Sequence, residues 1–283
     1  MSDKILDGKF LSQKLNSALK NSIEQLGKKR LPKIAIIQIG NNSASNKYIK
    51  NKIKACNDVG MLNTLIKLEE NIKENELIEI INKLNNDETV DGIILQLPLP
   101  LNINENKITK LISPEKDADG FSPITLGNVI LNNSNIFPAT PFGIIKLIEH
   151  KQINIVGANV VIIGRSNIVG KPLANMLINK SATVTVCNSK TKNLSKICKA
   201  ADILISAAGS PKFVNKKFVN KKMTVIDVGA NFFEGKYCGD VDFKKVYPIV
   251  KYITPVPGGV GPMTIACLLQ NVFQLYKNKN SNQ

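Results

Sequence analysis

Histidine is nearly absent. The 283 residues contain one, His150. A Ser-His-Asp relay would rest on that residue alone, and it closes the stretch "IIKLIEHKQ", which reads as the C-terminal turn of a helix. There an imidazole meets the negative end of the helix dipole rather than a substrate. Metal sites built from several histidines are excluded. Proton chemistry is left to Lys, Tyr, Asp, Glu or water. Paired cysteines are also missing: Cys56, Cys187, Cys198, Cys238 and Cys267 are scattered, with no C-x-x-C spacing. They read as reduced thiols of a cytoplasmic protein, each a small buried apolar residue. No apolar run approaches the roughly 18 residues needed to cross a bilayer. The polar opening "MSDKILDGKF" is read as neither signal peptide nor anchor.

Acidic residues are in deficit, 22 against 38 basic, for a net charge of +16. A nucleic-acid surface is one reading of that excess. The lysines, however, are dispersed rather than tiled, and aromatics make up 5% of the chain, too few for base-stacking platforms. The charge therefore reads as solvated faces, with some attraction for an anionic substrate. Neither nucleic acid nor membrane is expected as a partner. No internal repeat is visible.

Two α/β series are present. "KIAIIQIG" (33–40) is an apolar strand, followed by a helix over 43–60 with Ser43 as N-cap, Gly60 as stop, and Ile49, Ile53 and Cys56 as its buried stripe. "NTLIKLEE" is a second strand, "NELIEIINKLN" a helix, and "VDGIILQLPLP" a third strand ended by prolines. That order implies a mostly parallel sheet under helices. Residues 112–143, rich in Pro, Gly, Asn and Ser, read as a crossing with functional loops. A second series follows: a helix (143–151), "NVVIIG", a helix from about 169, "SATVTVCN", a helix (193–200), "DILISAAG", "KMTVIDVGAN" and "YITPVPGGVGP". "MTIACLLQNVFQLYKN" is an amphipathic helix expected to return to the first domain, and the tail "KNSNQ" is expected to fray.

The stretch "NVVIIGRSNIVGKPLA" has strand, glycine and helix in the order of a phosphate-binding turn. Five residues separate Gly164 from Gly170 and Pro172 follows Lys171, so it is not a P-loop. The middle glycine of the dinucleotide fingerprint is missing. The physics of the turn remains: Gly164 admits φ > 0 and close backbone approach, and the helix beyond presents unpaired N–H groups. A tight turn without ligand is the alternative. The second strand ends in Cys187, Asn188, Ser189 and Lys190, with no acid to bond a ribose 2′-hydroxyl. Arg165 and Ser189 suit a 2′-phosphate, so NADP is favoured over NAD.

Tyr48 and Lys52 lie four residues apart on one helix face, beside the buried stripe. Gln96 falls at the C-terminal end of a parallel strand, where α/β proteins bind ligands. Asp119 stands in "KDADGF", a turn-rich loop.

Taken together, "SASNKYIKNKIKAC", "DGIILQLPLP", "PEKDADGF", "VVIIGRSNIVGKP", "VIDVG" and "YITPVPGGVGPMT" occur in order, and the whole chain resembles the bifunctional methylenetetrahydrofolate dehydrogenase/methenyltetrahydrofolate cyclohydrolase family. The resemblance implies an N-terminal three-layer α/β domain (1–140, completed by helix 264–283), a Rossmann-like NADP-binding domain (141–263), a folate cleft between them, and a homodimer. It implies oxidation of 5,10-methylenetetrahydrofolate by hydride transfer to NADP, then hydrolysis to 10-formyltetrahydrofolate. Neither step needs histidine, metal or a covalent nucleophile. By the same resemblance Lys52 serves the hydrolysis, Gln96 holds and tunes it, Tyr48 stacks on the pterin, and Asp119 pairs with the pterin edge. Gly258, Gly259 and Pro262 form a tight wall. Gly164, Arg165, Ser166, Ser189, Ala230 and Thr140 match cofactor positions. Ala230 replaces a larger aliphatic residue, and Ala139 and Phe142 stand where Cys and a basic residue are common. Two rivals remain: a monofunctional NADP-dependent dehydrogenase, and a basic nucleic-acid-binding protein on a similar scaffold.

Overall fold

A computed structural model describes residues 3–233 and 235–281. The chain divides into two compact units, Gln13–Ala139 with Ile265–Gln283, and Met1–Ser12 with Thr140–Thr264. They are called here the three-stranded and the five-stranded unit.

The first half begins with helix α1 (Gly8–Glu24), for which the sequence pattern gave no expectation. Then come β1 (Lys33–Ile39), α2 (Ser43–Asp58), β2 (Leu62–Leu68), α3 (Glu74–Asn86), β3 (Gly92–Leu95), the single turn α4 (Glu105–Ile108) and α5 (Pro123–Ile130). The strands pair in parallel in the order β2-β1-β3. A central parallel strand is covered on both faces, which explains the unbroken apolar run of β1. Ala35, Ile37 and Ile39 join Ile93 and Leu95 of β3 and Leu77, Ile81 and Leu84 of α3 in one core. The alternate residues Ile34 and Ile36 are buried on the opposite face.

Several local expectations change. The Asn42 side chain, not Ser43, caps α2, accepting from the Ser45 N–H at 3.1 Å. Gly60 ends the segment with φ +78°. Ile53 is only half-buried, while its neighbour Lys52 is 4% exposed. The third strand stops at Leu95, ahead of the two prolines. The 112–143 stretch holds a full helix, α5, because Ser122 caps it by accepting from the Thr125 N–H and Pro123 supplies a preset first turn.

The second half runs α6 (Ala139–His150), β4 (Asn159–Ile163), α7 (Gly170–Ile178), β5 (Thr183–Cys187), α8 (Leu194–Lys199), β6 (Ile203–Ser206), β7 (Thr224–Asp227), β8 (Asn231–Phe233), β9 (Lys236–Cys238), α9 (Phe243–Val246), β10 (Tyr252–Ile253) and α10 (Val260–Ser281). Helix α6 starts four residues before the expected position. The main sheet is wholly parallel, ordered β10-β7-β6-β4-β5. A small antiparallel pair, β8 with β9, was not foreseen. Val161, Ile163, Leu204, Val225 and Ile253 build the core of one face. The chain start belongs with this sheet, since Leu6 N–H donates to the Ile253 carbonyl at 2.9 Å and Ile253 N–H to that of Lys4 at 3.0 Å.

The C-terminal helix does return to the three-stranded unit. A Cβ on Gly92 would lie 2.9 Å from Val272 and 3.1 Å from Ala118, so glycine is what lets α10 approach β3. The buried Asn271 side chain donates to the carbonyls of Ala118 (2.9 Å) and Phe137 (2.7 Å). The expected fraying of "KNSNQ" is corrected in part: α10 runs through Ser281, and Asn282 and Gln283 lie outside the described residues.

Candidate active site

In the three-stranded unit, α2 turns its Lys52 side chain inward. The ammonium position is satisfied by one side chain: Nζ donates to Oε1 of Gln96 at 3.1 Å. Strand alternation explains why Gln96 is there. Ile93 and Leu95 enter the α3 core, so the next residue along faces the other way. Gln96 is held in turn, with its backbone N–H on the Ile37 carbonyl at 2.9 Å and its Nε2 on the Leu97 carbonyl at 2.7 Å. With the amide nitrogen committed to that carbonyl, the oxygen is what faces the lysine. The Tyr48 ring, one turn before Lys52, lies 5.0 Å from Nζ. Burial drives the Lys52 pKa below its ordinary value, opposed by the charge of Asp119. Burial favours the neutral amine over the ammonium, and the neutral Gln96 acceptor does not add the charge that would reverse this.

Asp119 does not touch Lys52 directly but stands within electrostatic reach of it. Its carboxyl is pushed up to about 6, mainly by burial, with Asp117 adding to the rise and Lys52 opposing it. The loop that carries it is anchored by a residue the sequence reading passed over. Buried Asp117 accepts from the N–H groups of Gly120 (2.9 Å), Phe121 (3.1 Å) and Ser122 (2.7 Å), and from the Thr125 hydroxyl at 3.0 Å. Gly120 has φ +76°, and a Cβ there would meet the Phe137–Pro138 backbone within 3 Å. A separate groove of about 510 Å³ in this unit is lined by Asp91, Lys116, Thr125, Asn128 and Asn278. It includes none of Tyr48, Lys52, Gln96 or Asp119.

In the five-stranded unit, Gly164 ends β4 with φ +123°, and a Cβ on it would run into the Ala207 carbonyl. Gly170 opens α7, and its Cβ would strike the carbonyl of Gly164. Glycine is required at both ends of this turn. Ser166 holds it closed: its hydroxyl accepts from the Val169 N–H at 3.2 Å and its carbonyl from the Lys171 N–H at 3.1 Å. Ile163 and Cys187 are register partners in adjacent parallel strands. Arg165 and Ser189 each stand two residues beyond that pair, both exposed. A cation and a hydroxyl thus leave neighbouring strand ends together, with no carboxylate among residues 187–191. The close-approach glycine, the helix start and this basic pair fit a dinucleotide carrying a 2′-phosphate.

The other expected residues are placed as follows. Ala230 is exposed just after β7. Thr140 lies in the first turn of α6, its hydroxyl paired with that of Thr264 at 2.9 Å rather than with the Gly164 turn. Ala139 is buried, and the Phe142 ring is covered by Lys146 Nζ at 4.3 Å. Gly258 has φ +106°, and its carbonyl accepts from the Lys9 N–H at 2.9 Å. A Cβ on Gly259 would lie 2.8 Å from that of Thr254. Pro262 is half-buried in the first turn of α10, where a missing N–H is tolerated. His150 ends α6. All five cysteines are free thiols. Among the described residues, no His, Cys, Asp or Glu cluster is arranged to hold a metal ion, and no helix is long and apolar enough to cross a membrane.

A wholly parallel sheet with a glycine turn and a basic strand end, together with a desolvated lysine on an amide, defines a dinucleotide-dependent α/β enzyme. The comparisons specify which one. Residues 6–119 match the tetrahydrofolate dehydrogenase/cyclohydrolase catalytic domain, and residues 138–280 match the NAD(P)-binding domain of the same family. Bifunctional protein FolD of Halalkalibacterium halodurans is 46% identical over 98% of this chain and 100% of its own length. That of Mycoplasma capricolum is 48% identical over 96% and 98%. Among solved structures, the bifunctional FolD methylenetetrahydrofolate dehydrogenase/cyclohydrolase of Campylobacter jejuni superposes with TM-score 0.95 at 46% identity, covering 97% of this chain and 99% of that one. The Trypanosoma brucei dehydrogenase-cyclohydrolase, complexed with NADP cofactor and inhibitor, gives 0.93 at 34% identity, covering 97% of each. The chain belongs to the tetrahydrofolate dehydrogenase/cyclohydrolase family.

Proposed function

We propose that the chain is bifunctional: it oxidises 5,10-methylenetetrahydrofolate to the 5,10-methenyl cation with NADP as acceptor, then hydrolyses that cation to 10-formyltetrahydrofolate. The observation that carries this reading is the Lys52–Gln96 contact at 3.1 Å on a buried amine. A dehydrogenase alone has no use for such a group, because its step needs positioning rather than a base.

The roles follow from the chemistry. NADP, when bound, supplies the hydride acceptor. Arg165 and Ser189 would hold its 2′-phosphate by charge-assisted bonds, and Gly164, Ser166, Ala230 and Thr140 would supply the rest of its binding surface. The folate pterin stacks on Tyr48, its amino edge meets the Asp119 carboxylate, and Gly258, Gly259 and Pro262 form a rigid wall. In hydrolysis, water adds to the methenyl carbon as the C=N π pair returns to nitrogen. The adduct then opens by breaking the carbon–N5 bond, its hydroxyl proton leaving and N5 gaining one, so that the formyl group stays on N10. Neutral Lys52 takes a proton from the attacking water while Gln96 fixes the amine. The substrate cation works in the same direction as burial, against the ammonium form. The proposed division of labour gives folate chemistry to residues 1–140 with 264–283 and the cofactor to 141–263. The chain is further proposed to act in the cytoplasm as a homodimer and to yield a one-carbon donor of the kind purine biosynthesis consumes.

One assay tests the reading: NADPH and methenyl absorbance followed together from methylenetetrahydrofolate, with NAD compared. NADPH formation with only transient methenyl absorbance is expected. Accumulation of stable methenyltetrahydrofolate would instead identify a monofunctional dehydrogenase.

A further inference from the structure

The five-stranded unit holds a buried polar cluster that the proposed chemistry leaves unused. Asp240, two residues after β9, is 0% exposed. Its Oδ2 accepts from the Ala208 N–H at 2.7 Å, the Gly209 N–H at 3.2 Å and the Ser206 hydroxyl at 3.1 Å. Its Oδ1 accepts from the Ser210 N–H at 3.0 Å and the Asn231 side chain at 2.9 Å. Three consecutive amides therefore wrap one carboxylate, with Gly209 at φ +63°. Such a nest commonly receives a ligand anion; here the anion is the protein's own.

Asp227, at the end of β7, repeats the device on the neighbouring loops. It accepts from the N–H groups of Gly229, Asp240 and Val241, each at 2.9 Å. The packing leaves no space for side chains, since a Cβ on Gly239 would enter the Asp227 carboxylate and one on Gly229 would reach Asp240. The loops after β6, β7 and β9 are thus tied together at the C-terminal end of the parallel sheet, where α/β units take their ligands. The first of them starts at Ala207, whose carbonyl occupies the place where a Cβ on Gly164 would go. The wall behind the glycine turn is set by what holds the Ala207–Ser210 loop.

We infer that Asp240 is a positioning residue for dinucleotide binding: it substitutes for a ligand anion in the Ala208–Ser210 nest and so fixes the backbone against which Gly164 turns. This rests on the cofactor reading above. The experiment is an NADP titration, read by competition with NADPH fluorescence, on wild type, Asp240→Asn, Ser206→Ala and Asn231→Ala. Hydrolysis of methenyltetrahydrofolate without dinucleotide is measured alongside. Asparagine presents an NH2 group to amide donors, so Asp240→Asn is expected to raise the NADP Kd about tenfold, and the two alanine variants about threefold each. Hydrolysis is expected to stay within about twofold, as Lys52, Gln96 and Tyr48 lie on the other unit. Unchanged Kd in all variants overturns the inference, and so does an equal loss of NADP binding and hydrolysis in a folded Asp240→Asn protein. If Asp240→Asn does not fold, raised Kd in the two alanine variants supports the inference and unchanged Kd overturns it. Wild type that binds no NADP overturns the cofactor reading and this inference with it.

Discussion

Lys52 and Gln96 form a donor–acceptor pair of fixed direction: the lysine Nζ donates to Oε1 at 3.1 Å because the amide Nε2 is already spent on the Leu97 carbonyl at 2.7 Å. A neutral acceptor steadies the amine without supplying the negative charge that would keep it protonated. Glutamate at position 96 would do the opposite.

The first prediction concerns Lys52 itself. Lys52→Ala is expected to lose cyclohydrolase activity while keeping measurable dehydrogenase activity, both followed spectrophotometrically. Lys52→Met adds a stability readout. The folded pKa of Lys52 is depressed by burial, so the unfolded chain binds the extra proton, and stability from this group rises with pH between the folded and unfolded values. Below that window the buried amine costs the fold most. Methionine removes the cost, by about 1–2 kcal/mol, or roughly 2–4 °C in Tm. The gain should be larger at pH 6 than near pH 10. Equal gains at both values would show that the amine carries no desolvation cost.

Asp119 gives a prediction of opposite sign. Its folded value of about 6 lies above that of a free carboxyl. Its contribution to stability is therefore full at low pH and falls as pH rises through 6. Binding runs against that trend, because the pterin contact needs the carboxylate. The KM for methylenetetrahydrofolate is expected to be flat above pH 7 and to climb as pH falls through about 6. Asp119→Asn should raise KM and remove the climb. A climb that persists in the variant would assign the titration to another group.

Much of this was legible beforehand, for a physical reason. Strands buried on both faces announce themselves as apolar runs, as in β1 and β4. A pair four residues apart on a helix, such as Tyr48 and Lys52, has its common face fixed by the helical period. What escaped depends on contacts distant in sequence. Asp117 and Asp240 sit in loops with no local pattern to set them apart; only the fold shows each collecting four or five hydrogen bonds while buried. The same holds for α5, hidden in a Pro- and Asn-rich stretch whose Ser122-Pro123 start was its one local signal. The contact of the Thr140 hydroxyl with that of Thr264, 124 residues away, is likewise invisible without the fold.

Cofactor choice is the third prediction. Arg165 and Ser189 leave adjacent strand ends whose last residues, Ile163 and Cys187, are in register. Arg165→Ala is expected to raise the NADP Kd by about 10- to 100-fold, the loss of one charge-assisted contact of roughly 1.5–3 kcal/mol, and to leave NAD binding nearly unchanged. Titration of both dinucleotides decides it. Equal weakening of the two would place Arg165 on a part of the cofactor they share.

The last prediction joins the C-terminal helix to the substrate loop. Asn271 is 2% exposed on an otherwise apolar face of α10, and its one amide nitrogen serves two carbonyls, Ala118 and Phe137. Those carbonyls bracket the loop of Asp119: Ala118 precedes it directly, and the Phe137–Pro138 backbone is what Gly120 packs against. Asn271→Ala would leave both acceptors buried without a donor, at about 1–3 kcal/mol each. A loss of roughly 2–4 kcal/mol is expected by urea unfolding, with a higher KM for the folate substrate and little change in NADP affinity. Asn271→Asp should be no better, since a carboxylate faces the same carbonyls with no donor to offer. A variant that lost stability but kept its KM would show that α10 supports the sheet without governing where Asp119 stands.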